Sequence, residues 1–471
     1  MRTGPLKLGA VAAALAAALA GCALQNPPGT ADLQREALPN AVVPSAWKTA
    51  GGVAAPVASA WLASFDDAAL NALVSEALLH NADLRVAAAR VEQAGGYLKV
   101  ASAGLLPVVS LLGTANTKSN GGSGLEGWVV SASLELDVWG RVRYARAAAE
   151  AQSVAATADF AYARQSLAAT VARSWFTAIE AGLLRGLAQD VVRSSEALLK
   201  IAQERFRVGI GSEQEVAEAR ASFATYRDTL RQVELSREQA LRALELLLGR
   251  YPAAEVAVAQ KLSALPPSPP VGMPSEILER RPDVIAAERR VAAAFNRIGE
   301  AKAALLPRIS LTAGGSDVSS DLFVLKEQNN PVWSAGVNLL APLYQGGALR
   351  ANVEIRTAEQ RQAVAEYARA GQKAFNEVEN ALSTEAALRD RAALLDDAVR
   401  DNERAFELVQ IQYRVGSVDL RAVEARQLAL YSARVSRLRV QSEQLAQRVS
   451  LHLALGGSFE APPPPTTAST K

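Results

Sequence analysis

The hydrophobic pattern is longest in two proline-free stretches, residues 141–207 and 347–414. Helix formers dominate both, and slim residues recur at alternating steps of three and four. This spacing predicts helices of the coiled-coil kind, each about 100 Å long. Two seams on different faces predict neighbours on two sides, although a plain structural coiled coil explains the same pattern. The first seam is Ala147, Ala151, Val154, Ala158, Ala161, Gln165, Ala168, Ala172, Trp175 and Ile179, and the second is Phe160, Leu167, Val171 and Ala178.

Four shorter segments alternate apolar with small or polar residues, a pattern that predicts β-strands with one apolar face. About ten such residues are typical of a transmembrane strand, apolar toward lipid and polar toward a lumen, but a half-buried soluble sheet alternates in the same way. Four strands cannot close a barrel, and an open sheet edge is not tolerated in hydrocarbon, so membrane strands would require several copies to share one barrel. The apolar positions are Val109, Leu111, Gly113, Trp128, Val130, Ala132, Leu134, Leu136, Val138, Ile309, Leu311, Ala313, Trp333, Ala335, Val337 and Leu339.

The two halves of the chain match at a nearly constant offset. Leu-Leu-Pro at 105–107 recurs at 305–307, an offset of 200, and Arg-Val-Gly at 207–209 recurs at 414–416, an offset of 207. Each half therefore predicts a helix, two strands, a long helix, a glycine turn and a shorter helix. The fold class is α+β, with mostly long helices, four strands and an internal two-fold repeat.

This organisation assigns a segment to every part of the chain. The segments are a signal peptide (1–21), a lipidated tether (22–60), a first repeat (61–256) with a β-hairpin at about 108–139 and a helical hairpin at about 141–249, a Pro-rich linker (257–272), a second repeat (273–457) with hairpins at about 308–342 and 347–456, and a Pro-rich flexible tail (458–471).

The amino terminus has the features of a secretory leader. Arg2 and Lys7 precede an apolar run at 8–20 that is too short to span a bilayer as a helix. The run ends in LAGC at 19–22, which resembles the lipobox of bacterial lipoproteins, where Cys22 would become the lipidated first residue. In such lipoproteins, a residue other than Asp after the cysteine, here Ala23, favours the outer over the inner membrane. Lipid chains anchor but do not span, so any crossing must come from the strands.

Charge and composition exclude several function classes. The net charge of +2 gives no strong attraction to nucleic acid. Only two histidines, His80 and His452, and one cysteine, Cys22, are available for metal ligation or a disulfide. No nucleophile–base pair stands out. We therefore expect no enzyme, no metal and no cofactor apart from the covalent lipid on Cys22.

Three arginines lie at the start of the first long helix, where the helix dipole disfavours cations. They are Arg141, Arg143 and Arg146. We expect them to meet lipid phosphates at the membrane surface.

Taken in order, these motifs resemble the TolC-like outer-membrane factors, and among them the NodT-type lipoproteins of efflux systems. The resemblance covers about 61–456 and is carried by the lipobox, the duplicated Leu-Leu-Pro and Arg-Val-Gly, DVWGR at 137–141 and APLYQGG at 341–347. It implies a homotrimer whose strands form one twelve-stranded β-barrel and whose helices form a periplasmic α-barrel that tapers to a gate. The implied function is the passive exit duct of a tripartite efflux pump, fed by a periplasmic adaptor and an RND-type inner-membrane transporter.

The resemblance also assigns functional residues to the helical turns. The adaptor is expected to contact Val208, Gly209 and Gly211 in the first turn and Val415 and Gly416 in the second. These glycines also suit the positive φ at which a helix ends, which explains them without any partner.

The gate candidates follow the two turns and are Glu215, Asp419, Arg421 and Glu424. Three-fold symmetry would turn an inward acidic residue into a ring, although a solvated helix face explains the same residues. The aspartate that the family commonly carries nine residues after the second glycine is replaced by Ala425. Whether Glu424 or Asp419 forms the gate therefore stays open.

Two other functions share part of this pattern. The outer conduit of a type I protein-secretion system has the same fold, but the lipobox and the short loops favour small-molecule efflux. A non-conducting, lipid-anchored periplasmic scaffold would explain the helices but not the four strands. The sequence does not identify the exported substrates, the partner pump or the resting state of the gate.

Overall fold

A computed structural model of the chain describes residues 25–49, 55, 57, 59–114, 125–320 and 332–460. From residue 82 onward a helix, two strands, a long helix and a shorter helix follow one another twice. The helices are α1 (Thr30–Ala37), α2 (Ala68–His80), α3 (Ala82–Ala103), α4 (Arg141–Arg207), α5 (Glu213–Leu247), α6 (Ile277–Arg280), α7 (Pro282–Ala303), α8 (Ala348–Arg414) and α9 (Leu420–Ala454), with 3-10 turns at Trp61–Phe65 and Pro274–Glu276. The strands are β1 (Val108–Thr114), β2 (Leu125–Leu136), β3 (Arg308–Ser320) and β4 (Val332–Leu340).

The long helices lie where the sequence pattern predicts them. Helices α4 and α8 have 67 residues each, and α5 and α9 have 35 each. Both predicted seams of α4 are buried where Ala172 and Trp175 lie on one face and Val171 and Ala178 on another. Nearer the strands, Val154 of the first seam is 45% exposed within one protomer. That part of the seam is available to a neighbouring element.

The strands form one antiparallel sheet in the order β1-β2-β3-β4. Residues directly opposite one another share a face, and the register aligns the apolar positions of all four strands on one side. Serine, threonine, asparagine and glycine predominate on the other side. The apolar face consists of Val109, Leu111, Gly113, Trp128, Val130, Ala132, Leu134, Leu136, Ile309, Leu311, Ala313, Gly315, Trp333, Ala335, Val337 and Leu339. Asp317, opposite Trp128 near the outer end of β3, interrupts this face.

This sheet is unfinished in a single protomer. Strands β1 and β4 each pair on one side only among the described residues. Every residue of β4 is exposed, and the Trp333 and Val337 side chains are 76% and 67% exposed. Within the ranges that the structure describes, the two outer edges of the sheet are therefore unpaired, and much of its apolar face is exposed.

The chain divides into two compact units. The first, called the strand unit, contains the sheet and comprises residues up to 42, 88–159 and 283–371. The second, called the helical unit, comprises residues 43–87, 160–282 and from 372 onward. Its core includes Trp61, Phe65, Trp175 and Phe176, and the Phe65 and Phe176 ring centroids are 5.4 Å apart. Each unit takes segments from both predicted repeats.

Matching positions of the two halves make matching contacts in the helical unit. Asn81 Nδ2 donates a hydrogen bond to the Leu247 carbonyl oxygen at 3.0 Å. Arg281, 200 positions later, donates from Nη1 to the carbonyl oxygen of Ala454, 207 positions after Leu247, at 3.2 Å. In both halves, the residue before a 22-residue helix thus binds the carboxyl end of a 35-residue helix.

Residues 25–49 of the predicted tether are folded against the rest of the chain rather than free of it. These residues include α1, and the Leu33 side chain is only 1% exposed. Farther along, Trp47 Nε1 donates to the Val271 carbonyl oxygen at 3.2 Å, and Thr49 donates through both its N–H and Oγ1 to Glu379. Cys22 and the predicted signal peptide lie outside the described residues.

The start of the predicted flexible tail is also packed. Phe459 is 8% exposed, the Ala60 N–H donates to the Glu460 carbonyl oxygen, and the Trp61 N–H donates to that of Ser458. Residues 461–471 lie outside the described part of the chain.

Carboxylates from the end of the first hairpin fix the junction between β2 and α4. Asp137 caps the helix, because its two side-chain oxygens accept the Val142 and Arg143 N–H groups at 2.9 Å each. Arg143 Nε also donates to Asp137, and Arg141 forms two hydrogen bonds with Glu135. Arg141 and Arg143 thus pair with carboxylates of the same chain, and their expected contact with lipid phosphates stays a prediction.

The junction between β4 and α8 is built differently. Gly346 and Gly347 have φ of +61° and +86°, a conformation that L side chains rarely adopt. Leu343 and Tyr344 just before them are 95% and 89% exposed.

Candidate functional site

The turns that end α4 and α8 have the same backbone structure. Gly209 and Gly416 adopt φ of +80° and +78°. In the first turn the Ile210 and Gly209 N–H groups donate to the Arg205 and Phe206 carbonyl oxygens, and the second turn repeats both bonds. This is the Schellman arrangement, which satisfies carbonyl groups at a helix end. Gly209 and Gly416 therefore have the local structural role, ending a helix at positive φ, that the sequence pattern predicts as an alternative to adaptor contact.

Two predicted gate residues take part in the caps of the helices that follow. Glu215 forms a capping box with Ser212, in which each side chain accepts the other residue's backbone N–H. Asp419 accepts the Ala422 N–H at 3.0 Å and so caps α9. Both carboxylates thus stabilise helix ends within one chain.

The two turns lie side by side in the helical unit. The Arg205 guanidinium carbon lies 5.0 Å from the centre of the Tyr413 ring, and the Tyr226 and Tyr431 ring centroids are 6.4 Å apart. A small apolar core holds them together. It consists of Leu198, Ala202, Ala219, Val409, Tyr413, Leu420 and Val423.

An ion pair joins α5 to α9 beside this core. Arg421 donates from Nε and Nη2 to Glu218 Oε1, at 3.0 Å and 2.5 Å. The hydrogen bond from Arg421 lowers the pKa of Glu218, and the bond to Glu218 raises that of Arg421. The structure thus brings the predicted Arg421 together with a residue that the sequence reasoning missed. Glu218 lies nine residues after Gly209, the spacing at which the second turn has Ala425, so applying that spacing to both turns would have identified it.

Glu424 occupies a different environment from Glu218. It is half-buried, and burial raises its pKa, a hydrogen bond with Ser222 opposes this, and the nearby charge of Glu218 raises it further. Burial and the Glu424 charge likewise raise the pKa of Tyr226. Glu424 therefore faces α5 rather than bulk solvent.

Apolar side chains are exposed around both turns. Val208 is 57% exposed, Ile210 65% and Val415 74%. Gly211 could not carry a side chain without adjustment, since a Cβ there would lie 3.0 Å from atoms of Arg205 and Phe206. Of the predicted turn residues, Val208 and Val415 thus offer apolar surface, and the glycines shape the backbone beneath it.

The described residues contain neither a cluster of metal ligands nor a membrane-spanning helix. Among 25–49, 59–114, 125–320 and 332–460, no group of histidine, cysteine, aspartate or glutamate could hold a metal ion. Within the same part of the chain, no helix combines the length and apolarity needed to cross a membrane.

Comparison with known proteins gives consistent matches over most of the chain. A family model described as outer membrane efflux protein matches residues 73–250 and 273–457. The cation efflux system protein CusC of Escherichia coli is 30% identical over 462 residues, covering 95% of this chain and 98% of CusC. The pyoverdine export outer membrane protein OpmQ of Pseudomonas aeruginosa is 30% identical over 440 residues, covering 89% and 92%. The structure of the outer-membrane channel OprN superposes with a TM-score of 0.80 at 28% identity, covering 89% of this chain and 99% of OprN.

Proposed function

Because this chain belongs to the outer membrane efflux protein family, we propose that it is the outer-membrane exit duct of a tripartite efflux pump. In this role it passively conducts small molecules that an RND-type inner-membrane transporter and a periplasmic adaptor deliver. Its relatives are efflux channels of the outer membrane, which is where we place this protein. Their names give different cargoes, cations for CusC and pyoverdine for OpmQ. The compound that this protein transports is therefore not inferred from its relatives.

The unfinished sheet is the observation that carries this proposal. It has one largely apolar face and, in the described part of the chain, two edges without partners, and a lipid environment tolerates the face but not the edges. Three copies placed edge to edge close a twelve-stranded barrel, with the apolar face toward lipid and the serine-rich face toward the lumen. The partly exposed Val154 seam gives the long helices a surface for the neighbouring copies. The matched contacts of Asn81 and Arg281 support an origin of the two halves by duplication.

The turns at Gly209 and Gly416 form the adaptor contact in this proposal. The exposed apolar groups of Val208, Ile210 and Val415 support it, because such groups gain most from being covered by a partner. Val208 and Val415 lie directly before the glycines of the two Schellman turns. The backbone hydrogen bonds of these turns fix the position of both side chains before a partner binds.

The gate in this proposal is the polar cluster between α5 and α9. The bond between Glu218 and Arg421 holds the two hairpins together within one protomer. Glu424 is the acidic candidate that points into this contact, whereas Asp419 is committed to capping α9. We therefore assign Glu424 rather than Asp419 to the gate, together with Glu218 and Arg421.

Anchoring by a lipid on Cys22 completes the proposal. The leader pattern at 1–22 supports it, and Gln25, the first described residue, lies in the strand unit. The covalent lipid is the only prosthetic group invoked.

Single-channel recording in planar bilayers, on protein whose mass in detergent has been measured, tests the proposal. We expect discrete ion conductance from a trimer. A monomer that binds membranes without conducting would refute the duct and favour a periplasmic scaffold. Deleting the gene should increase sensitivity to small toxic compounds, whereas a deletion that only blocks protein export would favour a type I secretion conduit.

A further inference from the structure

A cavity of about 420 Å³ lies in the strand unit, near the carboxyl end of β2 and the amino end of β3. This volume falls in the range of about 300–1,000 Å³ that is common for ligand pockets. Trp139 follows the end of β2, Leu306 precedes the start of β3, and Phe295 and Ile298 come from the last turns of α7. The wall is therefore mainly aromatic and aliphatic.

Trp139 and Tyr144, the two lining residues that combine an aromatic ring with a polar group, both form hydrogen bonds with backbone groups. Trp139 Nε1 donates to the Pro307 carbonyl oxygen at 2.8 Å, and the Tyr144 hydroxyl accepts the Gln25 N–H at 2.9 Å. A Cβ on Gly299 would lie 2.6 Å from the Tyr144 ring, so α7 packs directly on this ring and fixes its position. The Trp139 N–H is thus satisfied by the backbone, and both residues contribute an aromatic ring to the lining of the cavity.

The start of the described chain lies at this cavity. Gln25 lines it, and Cys22 is three residues earlier. An extended chain covers at most about 3.6 Å per residue, so Cys22 lies within about 11 Å of Gln25. A group attached to Cys22 cannot be far from the cavity.

We propose that this cavity binds an acyl chain of the lipid attached to Cys22. The inference rests on the lipidation included in the proposed function. An aromatic and aliphatic wall suits a hydrocarbon chain. Trp139 between β2 and α4 and Tyr144 in the first turn of α4 are residue types that are enriched at the membrane–water interface, where lipid ester groups lie. Exposed Lys302 and the amide of Gln360, which also line the cavity, supply donors for the ester carbonyl oxygens.

This site gives the lipid a second role besides anchoring. The bond from Gln25 to Tyr144 and the contact of Thr30 Oγ1 with Glu288 attach the following segment to the strand unit. An acyl chain held in the cavity beside Tyr144 and α7 would fix the amino terminus from the other side. One lipid would then both hold the protein in the membrane and order the first residues of the mature chain.

Photo-crosslinking tests the site in the full-length protein. Cells are fed a fatty acid that carries a diazirine, the membranes are irradiated, and cross-linked peptides of the purified protein are identified by mass spectrometry. We expect the lipidated Cys22 peptide to be joined to peptides that contain Trp139, Tyr144 or residues 295–306. Thr357→Trp, which fills the cavity from α8, should abolish these links, whereas Ala358→Trp on the exposed side of the same turn should retain them.

The other outcomes overturn the inference in distinguishable ways. A Cys22 lipid that cross-links only to phospholipid or to peptides outside the cavity overturns this site and leaves lipidation intact. Free phospholipid cross-linked to the cavity peptides assigns the cavity to a bilayer lipid instead. A protein without label on Cys22 overturns lipidation and this site together. Conductance measured on the same samples reports separately on the duct.

Discussion

Replacing Glu245 is expected to release the segment that follows α5. The Glu245 side chain is 2% exposed, and its two oxygens accept three backbone N–H groups, those of Ala254 at 2.7 Å, Glu255 at 2.7 Å and Val256 at 3.2 Å. Ala254 adopts φ of +63°, which is unfavourable for a residue with a side chain. The segment therefore depends on the carboxylate for its conformation.

The size of the effect follows from these three bonds. A hydrogen bond to a charged group contributes about 1.5–3 kcal/mol, but the partly exposed amides of Ala254 and Glu255 can regain water when the carboxylate is removed. We therefore expect Glu245→Ala to lower the free energy of unfolding by about 3 kcal/mol. Glu245→Gln keeps one oxygen for Glu255 and Val256 but turns an NH2 group toward the Ala254 N–H, and should cost about 1–2 kcal/mol.

The stabilisation by Glu245 should also depend on pH. Burial, the largest single influence, raises the pKa of Glu245, but the three backbone donors and Arg250 together lower it below the usual value. A group with a lowered pKa in the folded state stabilises fully above its unfolded pKa of about 4.3. This contribution is lost as the pH falls through the folded-state pKa. In Glu245→Gln, no such loss should occur.

Hydrogen exchange of the amides at 254–256, with thermal unfolding in detergent, measures these effects. Exchange should be fastest in Glu245→Ala, intermediate in Glu245→Gln and slowest in the wild type. Glu255→Gln changes an exposed carboxylate of the same segment without removing its N–H and serves as the matched control. If Glu245→Ala exchanged no faster than Glu255→Gln, the three hydrogen bonds would not be what holds the segment.

Three further predictions concern the junction, the gate and a turn. Asp137→Ala removes the cap of α4 and should cost about 1 kcal/mol in thermal unfolding, whereas Asp137→Asn should recover part of it; equal losses would exclude capping. Glu218→Arg should raise the open probability of single channels, because it places two cations together. Adding Arg421→Glu should restore the wild-type open probability. A double variant as open as the single variant would show that this ion pair does not hold the channel closed. Gly416→Ala, at φ of +78° with open space around the new Cβ, should cost about 1 kcal/mol through backbone strain and leave conductance unchanged; an unaltered melting temperature would contradict this.

The periodic helices and strands were predictable, because each depends on a pattern of residues that are close together in the sequence. The step of three and four residues placed α4 and α8 correctly, and the alternation placed residues such as Val130 and Val337 on the same face of the sheet. The glycines at 209 and 416 marked both turns, because few residues other than glycine adopt a positive φ. The family resemblance is confirmed by the matches at 73–250 and 273–457.

Single long-range contacts were not predictable in the same way. Glu218 and Arg421 are 203 residues apart, and no local pattern shows that α5 and α9 place them together. The pairing of Arg141 with Glu135 was not predicted either, because the alternation along β2 indicates which face Glu135 lies on but not which residue it binds. Leu33 lies in a segment with weak hydrophobic periodicity, so its burial could not be predicted from the local pattern.

The two junctions between sheet and helix differ in mechanical stiffness. The first is clamped by Asp137, by the bond from Trp139 to Pro307 and by the pair of Arg141 with Glu135, so a torque applied to α4 passes directly into β2. The second turns at two consecutive glycines with open space around them, Gly346 and Gly347, where the first has one positive-φ glycine, Gly140. Each protomer thus has one stiff and one compliant joint. A twist of the helices would be absorbed at the α8 joint, and the strands could keep their register while the far ends of the helices move.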